Sequence, residues 1–264
     1  MRYKLSLEYV GTRYSGWQIQ KNARTVQGEL QHAIETATSR RGFELYGSGR
    51  TDAGVHALLQ VAHLEIDQSL DPDQLRFRVN DELPADINLL AVEKASHRFH
   101  ARHGAVGRSY LYQVSRRRSA FAKPFVWWVK DALDLERMKR AAKTFVGLHD
   151  FGSFTRDDPE EKSTKVRVES VELRDDGDLI LIRVQGSHFV WKMVRRMVGV
   201  LVEVGRGDMP AADVARLLGE RSDQPARFTA PPSGLFLEKV LYENETFDRP
   251  LAPAFHVPRV ASKR

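Results

Sequence analysis

The stretch FELYGSGRTDAGVHALLQVAHLEI, residues 43–66, contains two strand-like segments joined by a glycine-rich loop. Its ends, FELYGS and LLQVAHLEI, are rich in aromatic and aliphatic residues typical of strands. Glycines at 47, 49 and 54 surround a single carboxylate, Asp52, and Arg50 stands two residues before it. Because glycine lets a backbone take positive φ and approach a ligand closely, the loop predicts an acid presented to a substrate.

The segments around this loop predict a regular order of strands and helices. Before it, YKLSLEY alternates apolar and polar residues, and TVQGELQHAIETAT has helical spacing with Thr25 as its N-cap. After it, DPDQLRFRVNDEL opens with Asp71 as a cap and Pro72 in the first turn, and INLLAVEKA follows as a strand. The first half therefore reads β-α-β-β-α-β.

The second half predicts the same order. SYLYQVS and FVWWVK read as strands, DLERMKRAAKTFVG as a helix, and VRVESVEL and LILIRVQ as a hairpin across the acidic turn 175–178. A strongly apolar helix at 189–205, a short helix at 211–220 and the strand GLFLEKVLY complete it. We therefore predict an α+β fold of two tandem ferredoxin-like (βαββαβ) halves with largely antiparallel sheets around a central basic cleft.

The predicted boundary between the halves falls within FHARHGAVGRS, where the strand and helix patterns are interrupted. The expected division is an N-terminal α+β half over 1–104, a C-terminal α+β half over 105–245 and a basic tail over 246–264.

The composition is that of a folded protein with a moderate excess of positive charge. Of 264 residues, 41 are Lys or Arg and 35 are Asp or Glu, giving a net charge of +6 and a pI near 9.5. This balance fits a polyanionic partner such as nucleic acid and a merely solubilising surface equally well. The absence of cysteine excludes disulfides, a thiolate nucleophile and a cysteine-ligated metal. With no signal-peptide core at the start and no bilayer-length apolar run, we expect a cytoplasmic protein without a membrane partner.

Asp52 has two interpretations. An aspartate flanked by glycines often only caps a turn. Here Arg50 can pair with the carboxylate and keep it ionised, which suits a nucleophile or electrostatic stabiliser better than a proton donor. Paired-carboxylate glycosidase chemistry would need a second acid, and none lies close by in the loop. The histidines show no metal-binding spacing such as HExxH, so we expect no metal site.

Two basic segments favour RNA as the partner. GRSYLYQVSRRR places Tyr110 and Tyr112 on one face of a strand that ends in three arginines. Strand tyrosines often belong to a core, but aromatic rings beside cations also grip unpaired bases. HRFHARHGAVGR adds interleaved histidines and arginines without an acid, including His97, Arg98, His100, Arg102, His103 and Arg108.

The apolar helix at 189–205 carries two arginines, Arg195 and Arg196, on opposite sides of its buried stripe. Either side chain could reach solvent or project into a cleft. The helical pattern does not decide between these positions.

These residues resemble the tRNA pseudouridine synthase A family. The signature is GRTDAGVHA at residues 49–57, and further motifs follow in the same order along nearly the whole chain to about residue 242. They are YSGWQIQ (14–20), LPADI (83–87), FHAR (99–102), RSYLY (108–112), HDFGSF (149–154), FVWKMVRRMVG (189–199) and GLFL (234–237). Family members often have histidine or asparagine just before the Met-Val-Arg, where this chain has Trp191 and Lys192.

The resemblance implies roles for particular residues. The family's nucleophilic aspartate falls on Asp52, its base-stacking and proton-accepting tyrosine on Tyr110, and the arginine that pairs with the aspartate on Arg195. Contacts to the RNA are expected from five residues: Arg50, His56, Arg102, Arg108 and Tyr110.

The resemblance also implies the activity and the partners. The expected enzyme is an isomerase that needs no cofactor or metal, acts as a homodimer and converts uridine to pseudouridine in the anticodon stem-loop of tRNA, at positions 38, 39 and 40. One alternative is a non-enzymatic protein that binds structured RNA through the same basic cleft and forms no product. Another is a metal-dependent RNA nuclease, which the missing ligand cluster disfavours.

Overall fold

The computed structural model describes residues 1–157 and 163–257. In chain order its strands are β1 (Arg2–Tyr9), β2 (Glu44–Gly47), β3 (His56–Glu65), β4 (Ile87–Ala95), β5 (Ala105–Ser115), β6 (Trp127–Trp128), β7 (Gly147–Asp150), β8 (Lys165–Asp176), β9 (Leu179–Gly186) and β10 (Leu235–Tyr242). Its α-helices are α1 (Val26–Thr38), α2 (Pro72–Glu82), α3 (Leu135–Lys143), α4 (Met193–Arg206), α5 (Asp213–Gly219) and α6 (Gln224–Arg227). The protein is therefore of mixed α+β class, and most of its strand pairs are antiparallel. Within the described ranges, none of the helices has both the length and the apolar character needed to cross a membrane.

The chain forms two compact units whose division differs from the predicted one. The first comprises Met1–Val106 together with Phe236–Phe247, and the second comprises Gly107–Leu235 with the residues from Asp248 onward. The last strand belongs to the first unit because β10 pairs in parallel with β3, with Phe236 opposite His56. Sequence order alone had assigned β10 to the second half.

The first unit is built on a sheet in the order β4-β1-β3, with β2 and β10 both paired to β3. The alternation predicted for β1 is confirmed, since Tyr3, Leu5, Leu7 and Tyr9 are all buried. Both predicted helix caps are also confirmed. The Gly28 N–H donates to Thr25 Oγ1 at 3.2 Å, and the Gln74 N–H donates to Asp71 Oδ1 at 2.9 Å. Such caps satisfy donors that the first helical turn leaves unpaired.

The second unit has the sheet order β5-β9-β8-β7, with β6 paired in parallel to β5. The predicted β8–β9 hairpin is confirmed, with Asp176 opposite Leu179. Two of the three consecutive arginines after β5 are bound at this hairpin turn. Arg116 pairs with Asp175 at 2.8 Å, and Arg117 pairs with Asp178 at 2.8 Å.

Part of the predicted tail packs on this second unit. The buried Arg183 guanidinium of β9 donates to the carbonyls of Arg249 and Pro250 at 3.1 and 3.0 Å. The Ala254 N–H donates to Gln113 Oε1 on β5 at 2.6 Å. The predicted tail is thus folded through Val257, and its remainder, residues 258–264, lies outside the described residues.

Helix α4 begins four residues later than the apolar pattern predicts. It starts at Met193, because Lys192 before it has left-handed backbone angles, φ 59° and ψ 7°. For a residue with a side chain, this conformation costs about 1–2 kcal/mol. The pattern of apolar residues cannot report such a local conformation, and strand β7 was not predicted either.

Gly199 should be among the least replaceable residues of α4. A Cβ at this position would lie 1.6 Å from the Phe228 carbonyl oxygen, which belongs to backbone and must move with its whole segment. We expect Gly199→Ala to lower the free energy of unfolding by about 2–3 kcal/mol or more in urea titrations. Gly219→Ala is the matched control, because nothing lies within 4 Å of its added Cβ; it should be neutral or stabilising by up to about 1 kcal/mol. Equal effects of the two substitutions would show that the α4 contact is not tight.

Candidate active site

The glycine loop places Asp52 in a tight turn of the first unit. The Val55 N–H donates to the Asp52 carbonyl at 3.1 Å, and Gly54 takes a positive φ of 79° within this turn. Asp52 itself is half-buried. The turn therefore leaves the carboxylate partly accessible at a defined position.

A buried polar network holds the residues before Asp52. The Ser48 hydroxyl donates to Gln60 Oε1 at 2.6 Å, and Gln60 Nε2 donates to the Gly49 carbonyl at 3.2 Å. The hydroxyls of Thr51 and Tyr9 are 2.8 Å apart. Ser48, Thr51, Gln60 and Tyr9 are all buried, so breaking any of these bonds would leave a polar group without water. Buried hydrogen bonds therefore fix the residues that lead into Asp52.

A second backbone segment packs directly against the loop. The Trp17 N–H donates to the Thr51 carbonyl at 3.1 Å, and the Gly54 N–H donates to the Tyr14 carbonyl at 3.3 Å. Gly16 lies between these contacts with φ 90°, and a Cβ there would come within 2.5 Å of the Thr51 carbonyl oxygen. These contacts show that the segment YSGWQIQ packs against the Asp52 loop and stabilises it. The sequence analysis noted this segment only as a family motif.

Arg50 and His56 flank Asp52 in the loop, with different surroundings. Arg50 is exposed, and its Nε donates to Gln18 Oε1 at 3.1 Å. His56 is only 1% exposed; its Nδ1 accepts the Gly11 N–H at 3.0 Å and its ring stacks on Phe236 at 4.8 Å. These contacts give His56 a task in holding the loop. The pairing of Arg50 with Asp52 stays a prediction. So do the contacts of Arg50 and His56 with RNA.

Tyr110 and Tyr112 lie on β5 of the second unit, as predicted, but their surroundings differ. Tyr110 is half-buried opposite Val184, and its ring meets Phe189 edge-on at 5.2 Å. Tyr112 is fully buried and donates its hydroxyl to the Pro231 carbonyl at 2.8 Å. Burial raises the pKa of Tyr112 well above its ordinary value. Tyr112 is thus a core residue, whereas the Tyr110 ring is partly accessible.

The structure separates the two arginines of α4. Arg195 is half-buried, and its Nε donates to the Ala230 carbonyl at 2.7 Å, while the Ala230 N–H donates to the Arg195 carbonyl at 3.0 Å. Its positive charge also acts on the Tyr112 hydroxyl, lowering the pKa that burial raises. Arg196 is instead 2% exposed and donates to the Ser153 carbonyl at 3.2 Å. Arg195 therefore lies within electrostatic range of Tyr112, whereas Arg196 is buried against the Ser153 backbone.

Arg102 and Arg108, the two remaining residues predicted to contact RNA, lie in different units. Arg102 is exposed, and its backbone N–H donates to His100 Nδ1 at 3.1 Å. Arg108 is half-buried on β5, and its guanidinium donates to the Ser187 carbonyl at 2.9 Å. Their contacts with RNA stay predictions. Within the described residues, no group of three or more His, Cys, Asp or Glu side chains is placed to hold a metal ion.

A chain of aromatic and imidazole rings runs through the first unit beside the segment 97–103. Tyr46 stacks on His63 at 5.4 Å, His63 meets His100 at 4.6 Å, and His100 meets His103 at 4.3 Å. His63 Nδ1 accepts the Ala101 N–H at 3.1 Å, which requires that nitrogen to be unprotonated. Sequence reasoning noted the basic residues here but not the buried imidazole that anchors them.

The buried His63 imidazole should make the free energy of unfolding depend on pH. Burial lowers the pKa of His63 from 6.5 to about 4, with further contributions from the charges of His100 and Arg2, while Glu65 acts in the opposite direction. Between these two pH values the unfolded chain binds more protons than the folded one, so stability is complete above about pH 6.5 and falls as the pH drops toward 4. Between pH 6.5 and pH 5, His63 should lower the free energy of unfolding by up to about 2 kcal/mol.

Urea titrations at pH 7.5 and pH 5 of wild type and His63→Asn test this expectation. The asparagine can still accept the Ala101 N–H but cannot be protonated. The variant should lose less stability at pH 5 than wild type does. It should still lose some, because the pKa of His100 is also lowered, first by burial and then by His103. Identical losses in the two proteins would show that His63 does not titrate on unfolding.

The sequence has clear relatives among known proteins. A family model described as tRNA pseudouridine synthase matches residues 6–103 and 141–243. A tRNA pseudouridine synthase A from Rhodopseudomonas palustris (strain BisA53) is 42% identical over 92% of this chain and 99% of its own length. Those from Aquifex aeolicus (strain VF5) and Streptococcus equi subsp. equi (strain 4047) are 40% and 35% identical over 90% and 92% of this chain, and over 98% and 99% of their own lengths. A solved structure of a Cbf5-Nop10-Gar1 complex matches with a TM-score of 0.36 at 12% identity over 75% of this chain and 54% of that one, a likeness too distant to bear on the fold.

The family match covers most of the chain. Its two segments include the loop of Asp52 and helix α4 with Arg195, whereas strand β5 with Tyr110 falls between them. The relatives, in contrast, align over nearly the full chain. From the extent of both matches we conclude that this chain belongs to the tRNA pseudouridine synthase family.

Proposed function

We propose that this protein isomerises uridine to pseudouridine in the anticodon stem-loop of tRNA, with Asp52 as the nucleophile and without a cofactor. The observation that carries the proposal is the Asp52 loop itself. It presents one half-buried carboxylate from a backbone that buried hydrogen bonds and the Gly16 segment hold in place. Such preorganisation is what a reaction with a single catalytic carboxylate requires.

The reaction needs little besides that carboxylate. The bond between N1 of uracil and C1′ of ribose breaks, the base turns, and a bond forms between C5 and C1′. The proton that C5 loses is balanced by the proton that N1 gains, so no atom and no electron is supplied from outside. Asp52 either adds to the nucleoside or stabilises the detached sugar, and both roles require its ionised form. Water must be kept from the detached sugar, because hydrolysis would otherwise compete.

Tyr110 and Arg195 have complementary roles in this proposal. The half-buried Tyr110 ring stacks on the extruded uracil, and its hydroxyl accepts the C5 proton. The Arg195 guanidinium, fixed through its Nε to the Ala230 carbonyl, pairs with the Asp52 carboxylate. Arg50, His56, Arg102 and Arg108 assist RNA binding. Extruding the base costs a few kcal/mol, which stacking and phosphate contacts offset.

The proposed architecture places these groups in one site. We propose two tandem ferredoxin-like halves around a central basic cleft. The β-α-β-β-α-β order of the first unit and the antiparallel strands of both units support the halves, and the net charge of +6 is consistent with a basic cleft. Asp52 is contributed by the first half, and Tyr110 and Arg195 by the second. We further propose that the protein is a homodimer that acts in the cytoplasm, where tRNA is its partner.

Replacing individual uridines of the substrate tests the proposed position of modification. Transcripts of one tRNA, each with a single anticodon stem-loop uridine changed to cytidine, are incubated with the protein and mapped for pseudouridine. We expect only the pseudouridine at the replaced position to disappear, with product elsewhere in the stem-loop unaffected. Product confined to other regions of the tRNA would contradict the assigned stem-loop. Tight binding without any product would favour the non-enzymatic alternative.

A further inference from the structure

Trp191 lies on the surface of the second unit, two residues before α4, beside two cationic side chains. Despite its size it is 38% exposed. Lys192 Nζ lies 4.1 Å from the centre of its ring, and Arg156 Cζ lies 5.9 Å from it. Both distances are within the range of cation–π attraction. A partly exposed aromatic ring is therefore held beside two positive charges.

The backbone fixes the position of this ring. The Trp191 N–H donates to Asp157 Oδ2 at 3.1 Å, and the Asp157 N–H donates to Thr155 Oγ1 at 3.0 Å. Lys192, the residue directly before α4, holds the left-handed conformation. A strained backbone at a residue other than glycine is often found at binding and catalytic positions. The hydrogen bond of the Trp191 backbone and the conformation of Lys192 therefore give Trp191 a defined position.

A cavity of about 560 Å³ shares Arg156 and Asp157 with this surface. Its lining comprises Gly152, Thr155, Arg156, Asp157, Arg221, Ser222 and Asp223. Arg221 is anchored by donating to the Gly152 carbonyl at 3.2 Å. The cavity therefore has room for a phosphate or sugar, with two guanidinium groups in its wall.

The cavity wall carries two arginines and two aspartates, Asp157 and Asp223, and the buried Arg196 adds a further positive charge beside it. Arg196 interacts electrostatically with Arg156 and with Asp223, and its Nε is buried without a hydrogen-bond partner among the described residues. Burial lowers the pKa of Arg196, and the Arg156 charge lowers it further. Asp150, which also interacts with Arg221, already accepts from the Thr164 hydroxyl and the Gly152 N–H. Asp223 offsets part of the repulsion between Arg156 and Arg196, and an anion in the cavity would offset more of it.

We propose that Trp191, Lys192 and Arg156 form a binding site for one unpaired nucleotide of the RNA, built from residues other than Asp52, Tyr110 and Arg195. Its base stacks on the Trp191 indole, and its phosphate enters the arginine-lined cavity. Aromatic rings beside cations bind unpaired nucleotides in this way, whatever the base. The inference rests on the proposed function for the identity of the RNA as tRNA. The stacking and phosphate contacts themselves do not depend on it.

Affinity measurements with an unmodified tRNA transcript test both parts of the site. Trp191→Ala should weaken binding about 5- to 150-fold, the range for loss of one stacked base, whereas Trp191→Phe should retain most of the affinity. Arg156→Gln should make the slope of log K against log salt shallower by about 0.7–0.9, corresponding to one phosphate. Arg140→Gln is the matched control, because this exposed arginine of α3 lies outside the cavity lining. The half-exposed position of Trp191 should leave melting temperatures close to wild type.

A fluorescent base identifies the bound nucleotide. Transcripts carrying 2-aminopurine at successive unpaired positions should show one position whose emission is quenched by wild type but not by Trp191→Ala. If Trp191→Ala binds within twofold of wild type and no position loses its quenching, the inference is overturned. Pseudouridine formation by wild type would then leave the proposed function intact. Trp191-dependent binding without pseudouridine would instead support this site and refute the proposed function.

Discussion

Asp52→Asn is expected to abolish pseudouridine formation, with a loss of at least about 10⁴-fold in single-turnover rate, as is usual when a covalent catalyst is removed. The amide has nearly the shape of the carboxylate but cannot serve as an anionic nucleophile. The turn should survive, because its hydrogen bond uses the Asp52 backbone carbonyl and not the side chain. The affinity for tRNA should therefore stay within a few fold of wild type, measured by filter binding.

Asp81→Asn provides the matched control, since Asp81 is an exposed aspartate in α2 of the same unit. It removes the same charge from the protein surface and should leave the rate unchanged. Substantial turnover by Asp52→Asn, with the Asp81 variant at wild-type rate, would refute the assignment of the nucleophile. Loss of tRNA binding along with activity would point instead to a role for Asp52 in recognition.

Tyr110→Phe should reduce the rate by about 10²- to 10⁴-fold, the usual contribution of a positioned proton acceptor. The phenyl ring keeps the edge-on contact with Phe189 and the face on which a base can stack. Binding should therefore be nearly unchanged while the chemical step slows, so single-turnover rates and dissociation constants must be measured separately. Full activity of this variant would exclude a proton-accepting role for the hydroxyl.

Tyr112→Phe removes the same atom two residues along the strand and separates catalysis from stability. The Tyr112 hydroxyl is buried on the Pro231 carbonyl, so its loss should lower the free energy of unfolding by about 1–3 kcal/mol. It should have little effect on the rate at a temperature where the protein is folded. The opposite pattern, with Tyr112→Phe inactive and Tyr110→Phe active, would exchange the roles of the two tyrosines.

Local sequence signals predicted most of the elements. The caps Thr25 and Asp71 and the alternation of β1 are properties of a few adjacent residues, and the structure confirms each of them. The acidic hairpin turn after Asp175 is likewise local in sequence. These predictions succeed because short-range hydrogen bonds and periodicity set the elements concerned.

Features that depend on contacts between residues far apart in the sequence could not be predicted from local patterns. The parallel pairing of β10 with β3 joins residues about 180 positions apart, as in Phe236 opposite His56, and no local pattern encodes it. The helical wheel left Arg195 and Arg196 equivalent, and only contacts with Ala230 and Ser153 distinguish them. The packing of YSGWQIQ against the Asp52 loop likewise depends on tertiary contacts, although the glycine and tryptophan of this segment were visible in the sequence.

The most direct test of the account is to incubate the purified chain with one unmodified tRNA transcript, with no cofactor or metal beyond the magnesium that folds the RNA, and to map pseudouridine chemically. The account predicts pseudouridine in the anticodon stem-loop, an intact RNA chain and no free uracil. Binding without pseudouridine, release of uracil, or cleavage of the strand would contradict it.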